Sequence, residues 1–412
     1  MLTNIQIRNF KSLKKIEIEF GQITILIGLN GSGKSSLMQA LGVIKQSLKI
    51  SQLLFNGDLL NLGDFDDVVS RGENRVSLFI GGQKEVDFTP FVQNRRLAEY
   101  GYEIVYDRNG IVTLDPEIKI GDLLIGGRFS RTGGAASSKE IKIDQINFQY
   151  GTTSTIGSPF RIISASTGPV RDNFEEAQNS LESLFGLFKD ELESVAFVPA
   201  ERGLDKPQYF LEASSRKDII DSSGVSLQAS HLASTIAYTS EIEEKISEYI
   251  NRITGIKIRH KLVPDKMVRI GTRKNINIIN EGFGTNQLVH LFTIIESSSP
   301  NSLIAIEEPE IHLHPKAQAE MAEVLTGIAQ KENKKLLIST HSEHLLFRFL
   351  TKVAQGKLDP KKIKIYYFEL ENGFTKVTKL DVDEKGELSG GLKGFFETDL
   401  EEFSRFLGAK NK

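Results

Sequence analysis

One stretch constrains this chain of 412 residues more than any other. Gly28-Leu29-Asn30-Gly31-Ser32-Gly33-Lys34-Ser35 fits G-x-x-x-x-G-K-[ST] throughout, follows the apolar run ITILIG (23–28) and opens a helical segment from Lys34 to about residue 49. A short apolar run without alternation predicts a strand covered on both faces. A glycine-rich turn from such a strand into a helix lets backbone N–H groups curl round an anion, and the helix N-terminus adds positive potential. The sequence thus predicts a phosphate cradle of Asn30, Gly31, Ser32, Gly33, Lys34, Ser35 and Ser36. In it Lys34 reaches the β- and γ-phosphates of ATP, and the Ser35 hydroxyl ligates Mg²⁺.

Two further segments supply the chemistry such a cradle needs. LIAIEE (303–308) reads as a buried strand with acids at its end. Glu307 stands where a carboxylate, more often Asp, holds the Mg²⁺ shell; Glu308 is the group that polarises the attacking water. KLLIST (335–340) is a second such strand, and STHS (339–342) at its end places His341 to sense the γ-phosphate. Lys34, Glu308 and His341 are therefore the candidate catalytic residues.

Composition narrows the alternatives. There is no cysteine, which excludes disulfide scaffolds, cysteine-ligated zinc, iron–sulfur clusters and thiol catalysis. Lys+Arg is 51 against 54 Asp+Glu, so a globally basic nucleic-acid binder is excluded while a local basic patch is not. The longest apolar run is about seven residues, around 23–29, far short of the ~20 that a membrane span needs. With no apolar signal core at the N-terminus, a soluble, cytoplasmic chain is expected.

Along the chain, 3–20 reads as two alternating strands, 73–160 as β-rich text with a mobile loop at 126–140, and 173–193 as a helix. VAFVP (195–199) is a short strand, 226–254 a helical stretch, and 256–263 with 267–279 two strands leading into EGFGTNQ and a helix. IKIYYFEL and FTKVTKLDV form a hairpin through Glu371-Asn372-Gly373.

The order P-loop, EGFGTNQ, LIAIEEPEIHLHP, STHS resembles the ABC-type ATPase heads of the SMC/RecF/OLD-like group. More narrowly it resembles the prokaryotic standalone AAA-family ATPases of defence systems, as do the opening IQIRNFKSL and the tail DEKGELSGGLKGFFETDLEEF. The likeness covers about 1–85 and 195–412. It implies an α/β fold: a P-loop ABC-type ATPase head with an antiparallel β-subdomain and a helical insertion. The expected division is 1–85, N-terminal head; 86–194, β-rich and helical insertion; 195–380, C-terminal head with a helical insertion at about 205–255; and 381–412, a small tail domain.

The resemblance also makes Gly282 to Gln287 a signature segment, with Gly284, Thr285 and Asn286 touching the γ-phosphate held by the opposite protomer. It implies two ATPs sandwiched in a homodimer or higher homo-oligomer, with His312 and His314 lining the interface. FVPAERG (197–203) falls where such heads carry a Mg²⁺-sensing Gln; here Arg202 or Glu201 is the substitute, and Arg202 is taken as a nucleotide-binding or interface residue against the alternative of a structural ion pair. OLD-like relatives fuse a Toprim nuclease, but Asp381 and Asp383 read as an acidic turn. The expected function is an ATP-binding, Mg²⁺-dependent ATPase switch serving a separate effector protein, such as a nuclease, in anti-phage defence. The alternative is a RecF/SMC-like DNA clamp, motivated by Arg259, Lys261, Lys266, Arg269, Arg273 and Lys274 in 259–275. A non-hydrolysing, nucleotide-dependent structural protein is the third class.

Overall fold

A computed structural model describes residues 1–47, 54–57, 59–88, 92–110, 112–120, 123–126, 129–132, 135–136, 140–143, 146–151, 161–165, 186, 190–212 and 228–389. The strand before the glycine-rich turn, β3 (Ile23–Gly28), is buried along its whole length. It lies inside a six-stranded sheet with β13 (Ala196–Val198), β17 (Leu303–Glu307), β18 (Lys335–Ser339), β19 (Ile363–Glu371) and β20 (Phe374–Leu380). The order is β13-β17-β18-β3-β19-β20, parallel except for the last pair. Covered parallel strands explain the continuous apolar text. The β19–β20 hairpin turns through Asn372 (φ 52°) and Gly373 (φ 82°), the two positive φ values that a two-residue hairpin loop of this hand needs.

The two faces of this sheet bury against different layers. Ile23, Ile25 and Ile27 join Ile304, Ile306, Leu336 and Ile338 on one side. There they meet helices α3 (Ala229–Tyr238), α4 (Ser240–Thr254), α5 (Phe283–Ser297), α6 (Pro315–Glu332) and α7 (Glu343–Ala354). Ile242, Ile246, Ile250 and Ile253 of α4 recur at the spacing that puts one apolar stripe on the core. The expected single helical stretch at 226–254 is thus two helices, parted at the extended Thr239. On the other side, Leu26, Leu303, Ala305 and Leu337 pack with α1 (Lys34–Ser47) and an antiparallel sheet. A four-residue helix, α2 (Phe65–Val68), lies between these elements in sequence, capped by Asp64.

The antiparallel sheet begins with β1 (Leu2–Phe10) and β2 (Leu13–Glu19), registered Ile5 opposite Ile18 and Ile7 opposite Ile16. β1 also pairs with β4 (Arg75–Phe88), which forms a long hairpin with β5 (Val92–Asp107). The sheet continues through β6 (Val112–Ile120), β7 (Leu123–Gly126), β10 (Glu140–Ile143), β11 (Ile146–Gly151) and β12 (Arg161–Ala165), with β8 (Phe129–Thr132) and β9 (Ala135–Ala136) beside it. Two expectations are corrected here. A boundary at 85/86 would cut through β4, because Tyr102 and Ile104 of β5 are buried in the same core as Ile5, Ile7 and Leu78. The segment 126–140, expected as a loop, carries β8 and β9. Most of the helix expected at 173–193, and the tail beyond 389, lie outside the described residues. Among those described, no helix is long and apolar enough to cross a membrane.

Because β5 closes the core rather than decorating it, excising 86–194 and joining the ends should not leave a folded head. The expected product elutes as aggregate on size exclusion and binds a hydrophobic dye strongly; a monodisperse, dye-silent product would show that the segment is a separable insertion.

A candidate nucleotide-binding site at the strand ends

The parallel strands end on one edge of the sheet, and the sequence-predicted residues meet there. β18 lies between β3 and β17, with Leu26 and Glu307 both opposite Ser339. The loops leaving these three strands carry the glycine-rich turn, Glu308 and His341. This is the crevice where open α/β sheets bind ligands.

The turn from β3 into α1 is fixed by close backbone approach. A Cβ on Gly28 (φ 145°) would sit 2.1 Å from the Phe368 carbonyl oxygen of β19. One on Gly33 (φ 104°) would sit 2.3 Å from Thr375 Oγ1 of β20. Thr375 Oγ1 in turn lies 2.8 Å from the Ser32 carbonyl and from Ser12 Oγ, so the β1–β2 turn and β20 brace the loop together. Lys34 is only 5% exposed and donates from Nζ to the Gly28 and Leu29 carbonyls, 2.8 Å each. Burial lowers its pKa to about 8, partly opposed by Glu308 and Glu310. Asn30, Gly31 and Ser35 are exposed, Ser36 is half-buried, and Ser32 is buried under the loop. The first turn of α1 leaves backbone N–H groups without helical partners, donors that suit phosphate oxygens. The glycine cradle, the ammonium beside it and the Ser35 hydroxyl fit a nucleoside triphosphate with Mg²⁺.

The acidic turn faces this loop. Glu307 ends β17 half-buried, its Oε2 accepting a 3.4 Å hydrogen bond from the Ala200 N–H. Burial raises its pKa, with Glu308 adding to the rise and Arg202 opposing it; a divalent cation would relieve that cost. Glu308 adopts a left-handed backbone, φ 42°, rare outside glycine and a feature of over-determined functional turns. Its Oε1 lies 3.6 Å from His341 Nε2, both side chains about one-third exposed. Burial lowers the His341 pKa and Lys34 lowers it further, against Glu308, so the ring is neutral at physiological pH.

One residue the sequence reading passed over sits at the centre of this turn. Glu310 is 7% exposed, and its Oε1 accepts from Thr340 Oγ1, the His341 N–H and the Ser342 N–H. Burial raises its pKa while the Thr340 hydroxyl and the His341 N–H lower it. A third acid in EEPE was the available signal, but nothing local says that it turns inward.

Two residues expected to contact nucleotide are engaged within the chain. Arg202 gives its guanidinium to backbone carbonyls: NH1 to Pro199 (2.8 Å), Ala200 (3.4 Å) and Glu307 (2.9 Å), NH2 to Glu308 (3.1 Å). It staples the turn after β13 to the acidic turn, and these partners are backbone carbonyls. Asn286 is also engaged within the chain, exchanging two 2.9 Å hydrogen bonds with the Leu204 backbone. His290, one turn on, accepts from the Gly203 N–H at 3.1 Å, and burial lowers its pKa to about 4. Helix α5 starts at Phe283, two residues before the expected Thr285, and Thr285 is buried. Gly284 remains at the helix N-terminus, beside a Phe283 that is 77% exposed. They line an open cleft of about 760 Å³ with His312, His314 and Lys316.

A family model described as "AAA domain, putative AbiEii toxin, Type IV TA system" matches residues 23–346. The OLD nuclease of Thermus scotoductus is 22% identical over 359 residues, covering 83% of this chain and 59% of that protein, so the chain spans little more than half the length of this curated relative. Among solved structures, an Smc head domain with an extended coiled coil, bound to the C-terminal domain of ScpA derived from Pyrococcus furiosus, aligns at 14% identity and TM-score 0.49 over 100% of this chain and 99% of that one. The SMC head domain from Thermotoga maritima aligns at 11% identity and TM-score 0.43 over 92% and 99%. The family model spans over three-quarters of the chain, from the strand before the phosphate loop to beyond His341, and on that match the chain belongs to this AAA-domain family.

Proposed function

We propose that this chain binds ATP with Mg²⁺ and hydrolyses it slowly, as a dimeric switch that controls a separate effector, such as a nuclease, in anti-phage defence. The observation that carries the reading is the meeting of Lys34, Glu307, Glu308 and His341 at adjacent strand ends. Mg²⁺, held by Ser35 and Glu307, would supply charge neutralisation at the β- and γ-phosphates. Glu308 orients and polarises the water that attacks the γ-phosphate. Neutral His341 beside it donates or accepts a hydrogen bond there. Lys34, released from its two carbonyls, takes up phosphate charge.

The dimer is supported by the cleft at the start of α5. It combines a helix N-terminus with Lys316 and two histidines, yet no residue of the phosphate loop lines it. An anion there would come from a second copy's nucleotide. The Asp383 carboxylate accepts from the Lys385 and Glu387 N–H groups and so caps its own turn, as the acidic-turn reading expects. Exposed Lys261, Lys266, Arg273 and Lys274 on and beside the hairpin of β15 (Ile258–Val263) and β16 (Met267–Thr272) favour the DNA clamp as second reading. Salt-sensitive DNA binding that tightens with ATP would select it.

Substituting Glu308→Gln should lower phosphate release by about 10²- to 10⁴-fold while ATP stays bound. With Mg-ATP the variant should double its mass by light scattering. Turnover equal to wild type would favour the non-hydrolysing class, and an unchanged mass would remove the dimer.

Lys34 gives a second test. In the nucleotide-free protein its pKa is about 8, and bound phosphate charge favours the protonated form. Binding near pH 8 should therefore take up about half a proton, more as pH rises and less as it falls. Calorimetry in two buffers of different ionisation enthalpy reads this directly. Lys34→Ala should abolish the uptake along with most of the affinity.

A further inference from the structure

We infer that Glu310 is a positioning residue for hydrolysis: its Oε1 gathers the Thr340 hydroxyl and the His341 and Ser342 N–H groups, and so holds His341 against Glu308. The inference rests on the ATPase reading for its kinetic consequence, and on geometry alone for its structural one.

The three donors lie 2.5, 2.9 and 3.2 Å from this single oxygen. They belong to the segment where β18 has ended and α7 has not begun. The His341 N–H has left the sheet ladder and takes Glu310 as its acceptor, while the Ser342 N–H is shared between Glu310 and Thr340 Oγ1, the latter at 2.9 Å. Ser342 is then occupied as the α7 cap, its Oγ accepting from the Leu345 N–H and donating to Gln318 Oε1 at 2.6 Å. Thr340 N–H still reaches back to the Leu26 carbonyl of β3, at 3.0 Å. His341 therefore sits on a short span pinned at both ends, with Glu310 gripping its own amide.

Glu310 also belongs to the turn that carries Glu308. The Leu313 N–H donates to the Glu310 carbonyl and the Ile311 N–H to that of Glu308, so the turn is folded on itself. One carboxylate thus fixes the spacing between the residue that polarises water and the residue beside it. Glu310 Oε2 is buried with no protein partner, so the positioning runs through one oxygen. An amide oxygen has the same reach and the same lone pairs. Glutamine should therefore serve where alanine fails, which separates acceptor geometry from negative charge.

The experiment uses the full chain with Glu310→Gln, Glu310→Ala, His341→Ala and the double Glu310→Ala/His341→Ala. Steady-state phosphate release and the affinity for a slowly hydrolysed ATP analogue are measured on each, and hydrogen exchange over 336–345 is followed by mass spectrometry. Glu310→Ala should lower kcat about 10²-fold with analogue affinity little changed. Glu310→Gln should stay within a few-fold of wild type. The double variant should be no slower than His341→Ala, since both remove the same arrangement. The amide of His341 should exchange faster in Glu310→Ala and stay protected in Glu310→Gln, with that of Ser342, shared with Thr340 Oγ1, following less. Multiplicative losses in the double variant, a glutamine variant as slow as alanine, or unchanged exchange in alanine would each overturn the assignment. If wild type releases no phosphate, the ATPase reading fails by itself, while the exchange pattern still decides whether Glu310 holds the segment.

Discussion

The interleaving of three parallel strands is the constraint on which the rest of the site depends. Neighbouring strands in a sheet lie about 4.8 Å apart. With β18 between β3 and β17, the loops that leave them start within about 10 Å of one another, whatever the intervening sequence does. Between β3 and β17 the chain builds an antiparallel sheet and several helices. The parallel register returns it to the right edge. The continuous burial of β3, with its residues divided between two cores, holds that register, because a slip by one residue would exchange the faces.

Packing alone does not set the conformation of Glu308. A left-handed non-glycine backbone costs of order 1–3 kcal/mol. Glycine would remove that cost and with it the carboxylate. The turn is instead held from several directions: the Glu308 N–H donates to the Ser339 carbonyl, and the Glu308 carbonyl accepts from Arg202 and from the Ile311 N–H. These are backbone bonds, so they leave the side chain free to face the loop. Such over-determination keeps a strained residue in one geometry.

The legible part of this fold was the part whose function is contiguous in sequence. A phosphate loop needs its glycines, lysine and serine in a fixed run, and the strand before it must be apolar throughout; both are local facts. The paired acids and His341 sit at strand ends for the same reason. What could not be read is who pairs with whom across long separations. Arg202 is a cation near a predicted site, and from sequence a cation near a phosphate loop suggests phosphate; only the fold shows four carbonyls around it. Asn286 likewise looked like a donor for a partner's nucleotide, until the Leu204 backbone took both ends of its amide. The segment after 85 looked foreign because its text changes character, yet β5 supplies buried Tyr102 and Ile104 to a core already begun by β1. Alternating edge and surface strands read differently from buried parallel ones even when they share that core.

These pairings join α5 to the acidic turn by two routes. Asn286 and His290 hold the backbone of Gly203 and Leu204, and Arg202 beside them holds the carbonyls of Glu307 and Glu308. At the start of the same helix, Gly284 packs so closely on the His312 carbonyl that a Cβ would come within 2.7 Å of it. The turn carrying Glu308 is thus tied to α5 before the acid by side-chain hydrogen bonds to backbone and lies in close backbone contact with α5 after it. Helix α5 and the Glu307–Glu310 turn form one mechanical unit, and its exposed end is the Gly282–Gly284 start with Phe283. A partner that engages that end pushes on the element that sets where Glu308 points. Under the proposed dimeric switch no long pathway is needed, because the surface proposed to meet a second copy and the proposed water-polarising Glu308 are two ends of the same short assembly.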